Sequence, residues 1–302
     1  MHKDKIEQAN RQIRAITIVG VITNIALAVV KAAVGLLAGS MSLVFDAIHS
    51  ISDTATDIVV LFGIYFGSKE PDIEHPYGHS RAETFAAAIV AIVLIVAGCF
   101  MIQKASIAVA IAPIAAEPSG ISQMVLWVAL LSIIAKEALY IATRRIAVKT
   151  HSPSLYANAW HHRSDALSSV AVAVGFIAMK FGFDHGDHIA AIVVGLLIIL
   201  VGAKVFGGCL HEFAERAVDT DTVAQIENII ASESQIAHWH KLRTRSAGRE
   251  IFLDLHILVD PALNITEAHK IAESLENSMH AQITRPVNIT IHIEPDNPEL
   301  RK

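Results

Sequence analysis

Six stretches of this chain, each of about 20 or more mostly apolar residues, limit what it can fold into before any single residue is weighed. They lie near 14–37, 41–66, 84–108, 121–143, 154–181 and 187–207. A run of that length crosses the hydrocarbon of a bilayer as a helix, because only a helix satisfies its own backbone there. The third, beginning ETFAAAIVAIVLIVAGCFMI, and the sixth, HIAAIVVGLLIILVGAKVF, are the cleanest. A composition of 53% hydrophobic and 18% charged residues, with mean hydropathy +0.48, is too apolar for a water-soluble protein of 302 residues. The opening MHKDKIEQANRQIR is polar and charged, so no cleaved signal peptide is expected. Cys99 and Cys209 form no CxxC motif, and neither a disulfide nor a thiolate metal site is expected. Neither basic blocks nor aromatic interleaving points to nucleic acid.

The second and fifth stretches carry a repeated pair of metal-ligand residues, His49/Asp53 and His161/Asp165. Positions i and i+4 share a helix face, so each pair presents an imidazole beside a carboxylate. Two such helices face to face offer the four nitrogen and oxygen donors that tetrahedral zinc accepts. Ionisable groups are costly inside a bilayer and usually mark ion pathways or their partners. A lone buried His or Asp is as often a satisfied core residue, but two matching pairs favour a metal site. Lys31, Lys136 and Glu137 are also in or near the apolar stretches, where snorkelling and local ion pairing explain them as well as function does.

Lys3, Lys5, Arg11, Arg14, Lys69, Arg81, Arg144, Arg145 and Lys149 fall on one side of the implied membrane, and little beyond Lys104 and Lys180 on the other. Both termini are therefore expected in the cytoplasm. The sequons at Asn264 and Asn288 are then chance matches, since glycosylation acts on translocated segments. The domain division expected is 1–208 for the transmembrane part and 209–302 for a soluble part.

From 209 onward the pattern becomes mixed. Segment 221–233 reads as a helix. Segment 250–259 alternates, with Ile251, Leu253, Leu255, Ile257 and Val259 on one face. A helix over 265–283 is announced by Asn264 and Glu267 at capping-box spacing. Asn288 to Glu294 alternates again, and His238 to Arg245 supplies another short strand. The order αββαβ describes a small sheet covered by helices. This part holds nine Lys or Arg against fifteen Asp or Glu, a net charge of −6, which attracts divalent cations.

The stretches FDAIHSISDTATDI, DIEHPYGHSRAE and NAWHHRSDALSS, with the helix number and the C-terminal part, resemble the cation diffusion facilitator family over nearly the whole chain. The resemblance implies a homodimeric exporter of divalent metal driven by proton antiport, with six transmembrane helices and a metallochaperone-like cytoplasmic domain. It carries the transport site onto His49, Asp53, His161 and Asp165, a set that in this family goes with zinc. Imidazole suits zinc, whereas an all-carboxylate site favours harder ions. His162 points off that face and is read as supporting or structural, with Asp46 and Asp57 in supporting roles. A loop site corresponds to Asp72, His75 and His79, for which a solvated turn around Pro76 and Gly78 is an equal reading. Arg81 and Glu215 match an ion pair that fastens the membrane half to the cytoplasmic half. Cytoplasmic sites map onto His240, His256, His269, His292 and Glu294, with His238 competing with His240 as ligand. The lack of a His-rich insertion between the fourth and fifth helices leans toward a prokaryotic plasma membrane.

Zinc is thus expected as substrate and regulatory ligand, without an organic cofactor. Iron, manganese, cadmium and cobalt are alternatives within the class. Outside it stand a membrane-anchored metal sensor and a membrane zinc enzyme, the latter disfavoured because neither HExxH nor a nucleophile elbow occurs.

Overall fold

A computed structural model of the chain describes residues 2–37, 41–111, 123–180 and 186–301. Six long helices come first: α1 (His2–Leu37), α2 (Met41–Gly67), α3 (Arg81–Ile111), α4 (Gln123–Thr150), α5 (Pro153–Lys180) and α6 (Gly186–Phe213). After them come α7 (Thr220–Ser232), β1 (His238–Ala247), β2 (Glu250–Val259), α8 (Ile265–Gln282) and β3 (Val287–Pro295). The chain divides into two compact units, Arg11–Cys209 and Leu210–Lys302 with Met1–Asn10.

Helix α1 begins twelve residues before the apolar stretch, because Glu, Lys, Gln and Arg sustain a helix where apolar character is missing. Helices α4 and α6 likewise run past the ends expected at 143 and 207, to Thr150 and Phe213. Among the described residues, Glu7–Leu37, Arg81–Ile107 and Ala191–Phe213 are long and apolar enough by themselves to cross a membrane. Helices α2, α4 and α5 carry ionisable residues within their apolar stretches. These polar residues turn inward: Asp53, Asp57, Lys136, Asn158 and His161 are buried, while Phe62, Trp127, Ile134 and Leu200 are exposed. Hydroxyls are absorbed locally, Thr17 and Thr150 donating to the carbonyls of Ile13 and Ile146 at 2.8 Å. Helix α5 packs against α2, α3 and α4. Helices α3 and α6 meet backbone to backbone, since a Cβ at Gly98 would lie 2.7 Å from the carbonyl oxygen of Gly195.

In the second unit the sheet order is β1-β2-β3, with β1 antiparallel and β3 parallel to β2. Residues 251, 253, 255, 257 and 259 of β2 face a core shared with Ile226, Ile229 and Ile230 of α7 and with Ile271, Leu275 and Met279 of α8. Asp219 caps α7 by accepting from the Thr222 N–H at 2.9 Å. The capping box at Asn264 and Glu267 starts α8. Together the elements give the αββαβ order that the periodicities announce.

Candidate metal centres

Asp53 on α2 and His161 and Asp165 on α5 bring one donor atom each to within 4.8 Å of one another. The spacing of α5 supplies two of them, with His161 Nε2 3.9 Å from Asp165 Oδ2. Packing of α5 on α2 supplies the third, Asp53 Oδ1 at 3.6 Å from His161 Nε2. Asp53 and His161 are only 3% and 5% exposed, and neither imidazole nitrogen of His161 has a hydrogen-bond partner among the described residues. Buried, unsatisfied lone pairs beside two carboxylates are a donor set suited to a cation. His49 lies on α2 one turn before Asp53, and its side chain, like that of Asp46, falls outside the described residues.

Lys136 of α4 completes this group. Its ammonium donates to Asp53 Oδ2 at 2.7 Å and to Asp165 Oδ2 at 2.8 Å, with the side chain 4% exposed. The sequence weighs snorkelling and local ion pairing equally against a functional role for Lys136, and the structure gives it two carboxylate partners. A lysine in an apolar stretch needs a counter-charge, and the intramembrane carboxylates at Asp53 and Asp165 were its available partners. Glu137 faces another way, 3.7 Å from Arg163, whose guanidinium also stacks on Tyr140.

One turn further along α2, Asp57 is fully buried in a second polar knot. It accepts from Asn158 Nδ2 at 2.6 Å and Asn24 Nδ2 at 2.9 Å, and His162 Nε2 lies 3.6 Å away. His162 thus turns toward Asp57 rather than toward the Asp53 cluster. The part played by Asn24 and Asn158 has no local sequence signal, because amides in apolar helices reveal their partners only through packing.

The loop between α2 and α3 gathers Asp72, His75 and His79. Asp72 Oδ1 accepts the His75 backbone N–H at 2.7 Å, and Asp72 Oδ2 lies 3.4 Å from His79 Nε2. The backbone donor from His75, aided by its ring, holds the Asp72 carboxyl below the usual range.

In the second unit, strand register aligns three histidines, His240 of β1 opposite His256 of β2, which in turn pairs with His292 of β3. Glu294 gathers them, at 3.0 Å from His240 Nε2, 2.9 Å from His256 Nδ1 and 3.5 Å from His292 Nε2. His240 Nδ1 gives its hydrogen to the Leu300 carbonyl at 2.7 Å, which leaves Nε2 as the lone-pair atom of the neutral ring. The His256 hydrogen bond, followed by the nearby His240, holds Glu294 below its ordinary value. Between His238 and His240, it is His240 that joins this cluster.

His269 does not. It lies exposed on α8, whose inward face belongs to Ala268, Ile271 and Ala272. Helix α8 covers the apolar face of the sheet, whereas His256 alternates with Leu255 and Ile257 and so points to the other face. Within one copy of the chain the expected ligand is on the wrong side. Glu215 pairs with Arg245 of its own unit at 3.2 Å, and Arg81 belongs to the other unit.

Residues 17–210 match the model for the cation efflux transmembrane domain, and 218–296 that for the cytoplasmic domain of cation efflux proteins. Metal tolerance protein C1 of Arabidopsis thaliana is 32% identical over 97% of this chain, which spans 65% of that protein's length. Magnetosome protein MamB of Magnetospira sp. is 30% identical over 90% of this chain and 92% of its own. The manganese efflux system protein MneP of Bacillus subtilis is 28% identical over 93% and 96%. Two models matching in order along most of the sequence settle the kinship: the chain belongs to the cation diffusion facilitator family, multi-pass membrane transporters that export divalent metal cations and are not enzymes.

Proposed function

We propose that this transporter is a Zn2+/H+ antiporter that exports zinc from the cytoplasm as a homodimer in a prokaryotic plasma membrane, with both termini cytoplasmic. The reading rests on one observation above all, the convergence of Asp53, His161 and Asp165 donors within 4.8 Å in the apolar unit. With His49 as the fourth donor, the set is two imidazoles and two carboxylates, which suits zinc. Ligation requires deprotonated ligands, and an imidazole titrates near pH 6.5 or so when unperturbed, so protons and zinc compete for the same lone pairs. Access alternating between the two faces turns that competition into exchange.

Residues 1–208 carry transport and 209–302 regulate it. Zinc at His240, His256, His292 and Glu294 neutralises part of the −6 charge of the cytoplasmic part and draws two copies together. The loop group Asp72, His75 and His79 feeds or senses the same ion.

A panel of flux measurements in vesicles with an imposed pH gradient, one metal at a time, tests this. Zinc flux is expected to require the gradient, to vanish in Asp53→Ala and Asp165→Ala, and to survive weakened in His292→Ala. Full zinc flux with both carboxylates removed ends the reading. Manganese is the second reading, since one relative is named for manganese efflux. His49→Asp, which moves the donor set toward oxygen, then shifts preference toward manganese.

A further inference from the structure

The transport site contains a cation of its own. Lys136 bonds to Asp53 Oδ2 and Asp165 Oδ2 at 2.7 and 2.8 Å, inside a cluster whose members are nearly or fully buried. Asp165 Oδ2 is also the atom of that carboxylate nearest His161 Nε2, which has no hydrogen-bond partner among the described residues. A metal ion held by His161 Nε2 and Asp165 Oδ2 therefore competes with the ammonium for that oxygen, and beside Asp53, whose Oδ1 faces the imidazole and Oδ2 the ammonium, the two positive charges repel. On the proposed reading of Asp53, His161 and Asp165 as the transport ligands, we propose that Lys136 is a tethered counter-cation, which fills the site between transport events and must be displaced for a divalent ion to bind.

The physical case has three parts. Two ionised carboxylates facing each other away from water are unfavourable without a compensating charge, so a site that has released its metal needs one until the next ion or proton arrives. A tethered ammonium is present at a high effective concentration that a free ion of equal charge does not match. A doubly charged ion gains about twice the Coulomb attraction from the same carboxylates. The lysine thereby refuses sodium and potassium while yielding to a divalent ion that also takes the imidazole. Ser132, one turn before Lys136 on the same face of α4, is buried with its hydroxyl unpartnered among the described residues and offers the displaced ammonium an acceptor.

The test measures Zn2+ binding to the full chain in lipid nanodiscs, with the Asp53→Ala variant subtracted to isolate this site. Lys136→Met and Lys136→Gln are expected to bind Zn2+ at least about tenfold more tightly. Replacing N-methylglucamine by potassium is expected to weaken binding in these two variants and to leave the unaltered chain unchanged. Lys136→Arg, which keeps the charge, retains the unaltered affinity and its indifference to potassium. A lysine that merely ties α2, α4 and α5 together would move stability but not potassium competition. Equal or weaker Zn2+ binding in either folded neutral variant overturns the proposal. If the unaltered chain shows no Asp53-dependent Zn2+ binding, the transport-site reading falls, and this inference with it.

Discussion

The two units of this chain are built inside out with respect to each other. In the C-terminal unit, Ile251, Leu253, Leu255, Ile257 and Leu275 are hidden, while Glu215, Asp219 and Asp254 lie at or near the surface. In the helical unit, Phe62, Trp127 and Leu200 face outward, and Asp53, Asp57, Lys136 and His161 are hidden. The same amino acids thus hold opposite places because the solvents differ. Water rewards removal of apolar surface, whereas lipid offers no such driving force between helices and leaves packing and polar contacts to join them. The lesson is that the helical unit joins its elements by close packing and buried polar contacts, and the C-terminal unit by an apolar core.

The largest effect that can break this contrast comes from the buried charges. Asp53→Asn with Asp165→Asn leaves the Lys136 ammonium without a counter-charge and is expected to destabilise the helical unit by roughly 3–5 kcal/mol. Adding Lys136→Met recovers most of that loss without restoring flux. Thermal unfolding in nanodiscs reads both steps, and an unchanged midpoint in the double variant would show that ion pairing does not hold the helices together. In the other unit, Leu275→Ala opens a cavity under a fully buried side chain and costs about 3 kcal/mol. Hydrogen exchange along β2 and α8 of the full chain should rise, with protection in α3 unchanged.

Smaller effects sharpen the comparison at the water-facing surface. Asp219→Ala removes the cap of α7, and a loss of about 1 kcal/mol is expected, visible as faster exchange in the first turn. Glu294, hydrogen-bonded by His256, is held below its ordinary 4.5. A carboxylate depressed in this way adds stability above its unfolded value and loses that contribution as the pH falls through the folded one. The melting difference between the chain and Glu294→Gln should therefore be level just above about pH 5 and shrink below 4.5. A difference that grows on acidification would mean that the His256 contact does not persist in solution.

Sequence pattern carries the parts of this picture that depend on near neighbours. Apolar runs announce the long helices, alternation announces β2 and β3, and i, i+4 spacing places His161 beside Asp165. Asp72, His75 and His79 come together within eight residues of one loop, where closeness in sequence rather than helical spacing gathers them. What depends on packing across the chain is silent. Lys136 meets Asp53 across 83 positions, and Asn158 meets Asp57 across 101. No periodicity encodes such distances. His269, which does not reach the cluster within one copy of the chain, is the converse case. A metal-ligand residue type in the right unit says nothing about which side of a sheet it reaches, and α8 occupies the apolar side.

The connection between β1 and β2 has only two residues between the paired Ala247 and Glu250, with Gly248 at φ 56° in its first position, a place for which glycine is suited in a type II′ hairpin. That short link fixes the pairing from Ala247 to Arg243, and an irregularity between His240 and Arg243, where Lys241 takes φ 53°, shifts it by one residue so that His240 stands opposite His256. An insertion of one residue there would flip the faces of β1 and bring a neighbour of His240 into its place. The cytoplasmic cluster is therefore more vulnerable to a change in the length of this hairpin than to most changes in its composition, and it could be lost with every ligand still encoded.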